Sequence, residues 1–177
     1  MFMRLFIALN LPEKIRELLY KTAKELKEKG LFQGKITEKE NLHLTLKFLG
    51  DIREEKIDDI IKRLDEIKIN KAPVIIGNFG VFDEKFVRII WVKLAGADEL
   101  QKEIDSELLD IFNKDQEFSA HLTLGRVKLI KDKEGFKKNI KFDITNKEFI
   151  INEFCLVKST LSKDGPKYEI LERFKLE

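Results

Sequence analysis

Cysteine and tryptophan each occur once in this chain, histidine twice and proline three times. A single thiol cannot close an intramolecular disulfide. Cys155 stands in the apolar stretch Phe154-Cys155-Leu156-Val157, which reads as a buried strand where the thiol packs as a small hydrophobe. The nine glycines are scattered rather than gathered into a phosphate-cradling loop, so nucleotide-cofactor chemistry is disfavoured and no cofactor is expected. No apolar run has membrane length. The start, Met1-Phe2-Met3-Arg4-Leu5-Phe6-Ile7-Ala8, is too short for the apolar region of a secretory signal, because Asn10 and Pro12 end it. The expectation is a cytoplasmic protein with no membrane partner. Neither sign of charge dominates: 34 Lys and Arg against 32 Asp and Glu give a net charge of +2, which excludes bulk attraction for a polyanion. Any phosphate binding must be local. No linker rich in Pro, Gly or Ser divides the chain, and no heptad or apolar surface stretch demands an oligomer, so a monomer is expected.

What is present is enough for a core. At 177 residues and 43% hydrophobic content the chain suits one compact domain or two small, intimately packed lobes. Charged residues make up 37%, with Lys and Glu abundant, a composition that matches proteins of thermophiles. Arg4 to Leu9 reads as a strand, and Asn10-Leu11-Pro12-Glu13 supplies a helix start. Ile15, Leu18, Leu19, Thr22, Ala23 and Leu26 then form one helical face, stopped at Gly30. A strand from His43 to Leu49, a turn at Gly50-Asp51 and a helix marked by Ile57, Ile60, Ile61, Leu64 and Ile67 follow. Val74 to Phe82 and Phe86 to Leu94 read as a hairpin joined by Asp83-Glu84-Lys85, with Trp91 in its core. Leu100, Ile104, Leu108 and Ile111 trace a third helix, and His121 to Ile130 is strand again. After a charged connection from Lys131 to Lys141, Phe149 to Val157 and Tyr168 to Phe174 read as two further strands. Hairpins mixed with helices argue for an α+β fold of mainly antiparallel sheet rather than a doubly wound parallel one. The halves look like a worn duplication.

Both histidines open the same tetrapeptide, His43-Leu44-Thr45-Leu46 and His121-Leu122-Thr123-Leu124, 78 residues apart. Strand alternation sends the imidazole and the hydroxyl to one face and both leucines to the other. Imidazole accepts or donates a proton near neutral pH, its ordinary pKa being about 6.5. Two histidines flanking one phosphorus therefore make a base and acid pair: attacking water loses a proton on one side while the leaving oxygen gains one on the other. The threonine hydroxyls can hold phosphoryl oxygens. Two histidines with one buried cysteine fall short of a zinc set unless carboxylates join, so no metal site is expected. Lys47 joins the histidine face if its strand stays regular. Strict alternation from His121 places Arg126 on the leucine face, where a structural ion pair is the plain expectation.

Three segments carry a resemblance that runs essentially end to end. They are Arg4 to Leu9, the run Glu40-Asn41-Leu42-His43-Leu44-Thr45-Leu46-Lys47-Phe48-Leu49-Gly50, and His121-Leu122-Thr123-Leu124-Gly125-Arg126; Ser159-Thr160-Leu161, Gly165 and Tyr168 complete the pattern. The sequence resembles the two-histidine (2H) phosphoesterase superfamily, specifically the RNA 2',3'-cyclic phosphodiesterases historically called 2'-5' RNA ligases. The resemblance implies one domain over residues 1–177 made of two interleaved lobes, related by a pseudo-twofold about a central cleft. It implies metal-independent hydrolysis of RNA 2',3'-cyclic phosphate ends, or of small cyclic nucleotides, to 2'-phosphomonoesters, and in some members reversible 2'-5' joining. By the family's assignment His43 is the proton donor to the departing 3'-oxygen and His121 the proton acceptor that activates water. Thr45 and Thr123 hydrogen-bond the phosphate, Arg126 is a candidate phosphate contact, and Phe48 and Tyr168 are candidates for stacking on a base. Lys158 and Ser159 are weaker candidates near the second lobe's edge. Ala120 stands before the second histidine where relatives often carry proline. The competing reading is a non-catalytic module that binds RNA ends or nucleotides.

Overall fold

The computed structural model describes residues 1–114, 117–142, 144, 146–163 and 165–177. In chain order the elements are β1 (Phe2–Asn10), α1 (Glu13–Glu28), β2 (Phe32–Ile36), β3 (His43–Arg53), α2 (Ile57–Asp65), β4 (Ala72–Val81) and β5 (Ile89–Ala95). There follow α3 (Asp98–Glu107), β6 (His121–Ile130), α4 (Lys133–Asn139), β7 (Glu148–Ile151), β8 (Glu153–Ser162) and β9 (Gly165–Lys175). The strands form a four-stranded sheet, β3-β1-β8-β9, and a five-stranded sheet, β2-β6-β5-β4-β7. Every strand pair described is antiparallel, as the α+β reading requires.

Alternation in β1 explains how the first sheet serves two purposes. Leu5, Ile7 and Leu9 enter the main core, while Phe6 and Ala8 face the other way and join Cys155 and Val157 in a small second cluster. Cys155 is fully buried and burial pushes its thiol up to about 11, so it stays protonated and inert, as its apolar setting suggests. The helices cross over. α1 begins after Pro12, buries Leu19, Thr22, Ala23 and Leu26, and ends ahead of Gly30, whose φ of 70° a side chain would resist. Although it follows β1 of the first sheet, α1 packs on β2 and β6 of the second. In reciprocal fashion α3 follows β5 of the second sheet and packs on β3 of the first.

The two histidine strands are copies in detail. Burial runs half-buried, buried, half-buried, then two buried residues in succession, over His43 to Lys47 and again over His121 to Gly125. The doubled burial comes from β-bulges: Leu46 has no partner between the pairs Ala8–Thr45 and Ile7–Lys47, nor Leu124 between Trp91–Thr123 and Ile90–Gly125. After each bulge the face inverts. Lys47 therefore leaves the histidine face, contrary to the regular-strand expectation. Its side chain is 2% exposed, and its Nζ donates to Asp105 Oδ1 of α3 at 2.5 Å and to the Asn113 carbonyl at 2.9 Å. Asp105 also accepts from Gln101 Nε2 at 2.8 Å.

Other departures from the sequence reading have local causes. Gly50 and Asp51 do not turn; they continue β3 to Arg53, with Gly50 at φ 80°. The apolar run through Val157 is two strands in different sheets, broken at Asn152, and the charged connection contains α4, capped by the Asp132 side chain on Gly135 N at 2.9 Å. β2 lacks a clear alternating signature in sequence. Trp91 is half-buried on the face opposite the core residues Ile90 and Val92, packed on Phe82 with ring centres 5.6 Å apart.

Replacing Lys47 with Met removes a buried cation and leaves its carboxylate partner without it, a change that costs about 3–5 kcal/mol. Chemical denaturation should show that loss. Lys47→Met combined with Asp105→Leu should recover part of it, because apolar residues of similar volume replace both charges.

Candidate active site

His43 and His121 are the first residues of β3 and β6, one in each sheet. Each ring is fixed in the same way. His43 Nδ1 lies 2.8 Å from the Asn41 carbonyl oxygen and His121 Nδ1 lies 2.7 Å from the Ser119 carbonyl oxygen, in both cases two residues upstream. A carbonyl oxygen only accepts, so Nδ1–H donates and the neutral ring keeps its lone pair on Nε2. His43 Nε2 is 3.1 Å from Thr45 Oγ1, whose hydroxyl donates to it in that tautomer. Asn41 is itself held by its Nδ2 donating to the Pro166 carbonyl at 3.1 Å, which ties the turn before β3 to the β8–β9 hairpin. Thr37 braces the second motif: its Oγ1 donates to the Thr123 carbonyl at 2.9 Å and its N–H to the Leu124 carbonyl at 2.8 Å.

A groove of about 1170 Å³ runs between the sheets, and His43, Thr45, His121 and Thr123 all line it. The bulges complete it. Arg126 and Phe48 occupy equivalent positions just after them, and both line the groove. Strict alternation thus mislocated Arg126; the bulge at Leu124 turns it back to the histidine face. Phe48 is 75% exposed, so it is no core residue. Tyr168 also lines the groove, packed edge-on against His43 at 5.1 Å and against Phe6 at 5.1 Å. Ser159 lines it too, whereas Lys158 points away and pairs with Glu169 at 3.4 Å.

The electrostatics of the two histidines differ. Phe6, 4.8 Å from the His43 ring, and Tyr168 enclose that imidazole. Burial pulls its pKa below the ordinary 6.5, against a smaller opposing pull from the Asn41 carbonyl. The free protein therefore holds His43 neutral at neutral pH. His121 stands more open, with Phe82 edge-on at 4.9 Å. Burial raises the Tyr168 phenol, an effect that the nearby Arg126 guanidinium partly offsets, so Tyr168 remains a protonated donor.

Sequence reasoning missed Phe6, Thr37 and Phe82. The alternation of β1 could have found Phe6, since it falls on the face opposite Leu5 and Ile7. Thr37 and Phe82 reach the site through tertiary pairing, which leaves no local trace.

Residues 9–91 match the family described as LigT-like phosphoesterases. An RNA 2',3'-cyclic phosphodiesterase of Methanocaldococcus jannaschii is 38% identical over 178 aligned residues, which cover 97% of this chain and 100% of that protein. The chain belongs to the LigT-like phosphoesterase family. A protein of the same name from Archaeoglobus fulgidus is 34% identical over 97% of this chain and 99% of its own length. Among solved structures, TT0787 of Thermus thermophilus has a TM-score of 0.83 at 26% identity, covering 98% of this chain and 97% of that one. The apo form of Escherichia coli LigT has the same fold, with a TM-score of 0.81 at 23% identity over 99% of this chain and 98% of that one. The match to the LigT-like family model ends before His121, but the full-length relatives extend through both motifs.

With only two histidines in the chain, imidazole NMR gives a direct check. His43 should titrate below 6.5 with Nδ1 protonated in the neutral form, and added inorganic phosphate should move its pKa upward.

Proposed function

We propose that this LigT-like phosphoesterase hydrolyses 2',3'-cyclic phosphate ends, on RNA or on small cyclic nucleotides, to 2'-phosphomonoesters. His43 and His121 supply the acid and the base. One observation carries this reading: two imidazoles from different sheets line one groove, each with Nδ1 committed to a backbone carbonyl, so that proton transfer falls to Nε2, which on His43 the Thr45 hydroxyl holds in the free protein.

The proton accounting closes without a covalent enzyme intermediate. Water attacks phosphorus opposite O3' and passes a proton to His121 Nε2 as the new P–O bond forms. The P–O3' bond breaks, and O3' takes a proton from His43 Nε2. The product is a 2'-phosphomonoester with a free 3'-hydroxyl, and solvent exchange restores both rings. A 5'-hydroxyl in place of water would give a 2'-5' linkage by the same transfers. Thr45 and Thr123 donate to the non-bridging oxygens, and the Arg126 guanidinium faces the same anion, where charge-assisted hydrogen bonds are strongest. Phe48 and Tyr168 offer ring faces and edges to the bases.

His43 must be charged to act as the acid, yet the free protein keeps it neutral. The substrate resolves this. A phosphate anion within reach favours the imidazolium and so lifts the His43 pKa on binding. The acid is therefore armed by the molecule it acts on.

His43→Ala and His121→Ala should each lower kcat by about 10²- to 10⁴-fold on an RNA ending in a 2',3'-cyclic phosphate, with the thermal transition retained. Equal turnover in both variants and the parent would refute the assignment. The alkaline limb of kcat/KM reports the unliganded His43 and should lie below pH 6.5; that of kcat should lie at higher pH, because bound phosphate raises the same group. If His43 were instead the base, its low pKa would set the acid limb, and His43→Ala would remove that limb. Binding of a cyclic nucleotide with no product would mark a binding module.

A further inference from the structure

The net charge of +2 is not spread evenly. Six cationic residues border the groove, against two carboxylates, Glu38 and Glu117, although the Lys47 side chain is buried away from it. Arg4 is paired with Asp51 and Lys47 with Asp105. Lys35, Arg126, Lys163 and Lys167 have no ion-pair partner among the described residues. Lys35 and Arg126 are direct cross-strand partners in the β2–β6 pair, so both stand on the face that lines the groove. Like charges directly opposite on neighbouring strands repel and destabilise the sheet. β2 is nevertheless pressed close at this point: a Cβ on Gly34 would lie 2.1 Å from the Arg126 carbonyl oxygen. The two cations are held together by the backbone, in a position where an anion between or beside them relieves the repulsion.

Arg126 is occupied in the proposed reaction by the cyclic phosphate, which leaves Lys35 without a task. The groove of about 1170 Å³ exceeds the roughly 300–1,000 Å³ typical of small-ligand sites, so it has room for more than one nucleotide. We propose that Lys35 is a second phosphate site, holding the phosphate on the 5' side of the terminal nucleotide while Arg126 faces the cyclic one. The groove then prefers RNA strands to free cyclic mononucleotides, which lack that second phosphate. This placement of the strand rests on the proposed function.

The test uses two ligands that differ by one phosphate, adenosine 2'-monophosphate and adenosine 2',5'-bisphosphate, titrated calorimetrically into the parent, Lys35→Gln and Lys35→Arg proteins. The parent should bind the bisphosphate about five- to tenfold more tightly at low salt, as one added charge-assisted contact predicts. Lys35→Gln should abolish that advantage without lowering the thermal transition, since it removes a like-charge contact, and Lys35→Arg should keep it. An advantage that survives in Lys35→Gln, its absence from the parent, or equal weakening of both ligands would overturn the proposal. Binding requires no turnover, so failure of the hydrolysis assay would leave this result standing, and failure here would leave the histidine assignment standing.

Discussion

A β-strand shows only every second residue to one face, and the groove is shaped by how this chain escapes that constraint. Unbroken alternation would give the histidine face His, Thr and then Lys47 or Gly125. An unpaired leucine at the matching place in each strand, Leu46 and Leu124, changes the third residue to Phe48 and Arg126. The same inversion sends Lys47 inward to Asp105. A single backbone device, used twice, supplies one aromatic and one guanidinium at equivalent places. The two sheets present different chemistry from matching frames.

Much of this was legible in the residues. The recurrence of the tetrapeptide located both histidines and both threonines, and the 3.6-residue stripes of α1 and of α3 as far as Ile104 were plain because their apolar spacing is local, although α3 ends at Glu107, short of Leu108 and Ile111. β6 was placed end to end. What escaped depended on pairing. A bulge is a relation between two strands, so nothing in Leu44-Thr45-Leu46-Lys47 announces it, and Arg126 was misplaced for the same reason. Asn152 separates β7 from β8 within one apolar run because its neighbours belong to different sheets. Phe82, expected to end a hairpin strand, lies beyond β4 and meets His121 only after folding.

The imidazoles are oriented by main-chain carbonyls rather than by carboxylates. The residue type two positions upstream is therefore free to differ, Asn41 in one motif and Ser119 in the other, while the tautomer stays the same. Among the described residues neither Nδ1 meets a carboxylate, so the His43 ring stays sensitive to the charge of whatever lies in front of it. The enclosure of His43 by Phe6 and Tyr168 and the more open setting of His121 then separate two chemically similar groups.

The crossing of α1 and α3 bears on motion. Each helix follows a strand of one sheet and packs against the opposite sheet, so the sheets cannot swing apart without drawing a helix out of the shared core. Hinge-bending enzymes pay for catalysis with an opening and shutting step in every cycle. Here each wall of the groove is anchored by a helix whose preceding strand lies in the other wall, so the frames that carry His43 and His121 are coupled through the shared core.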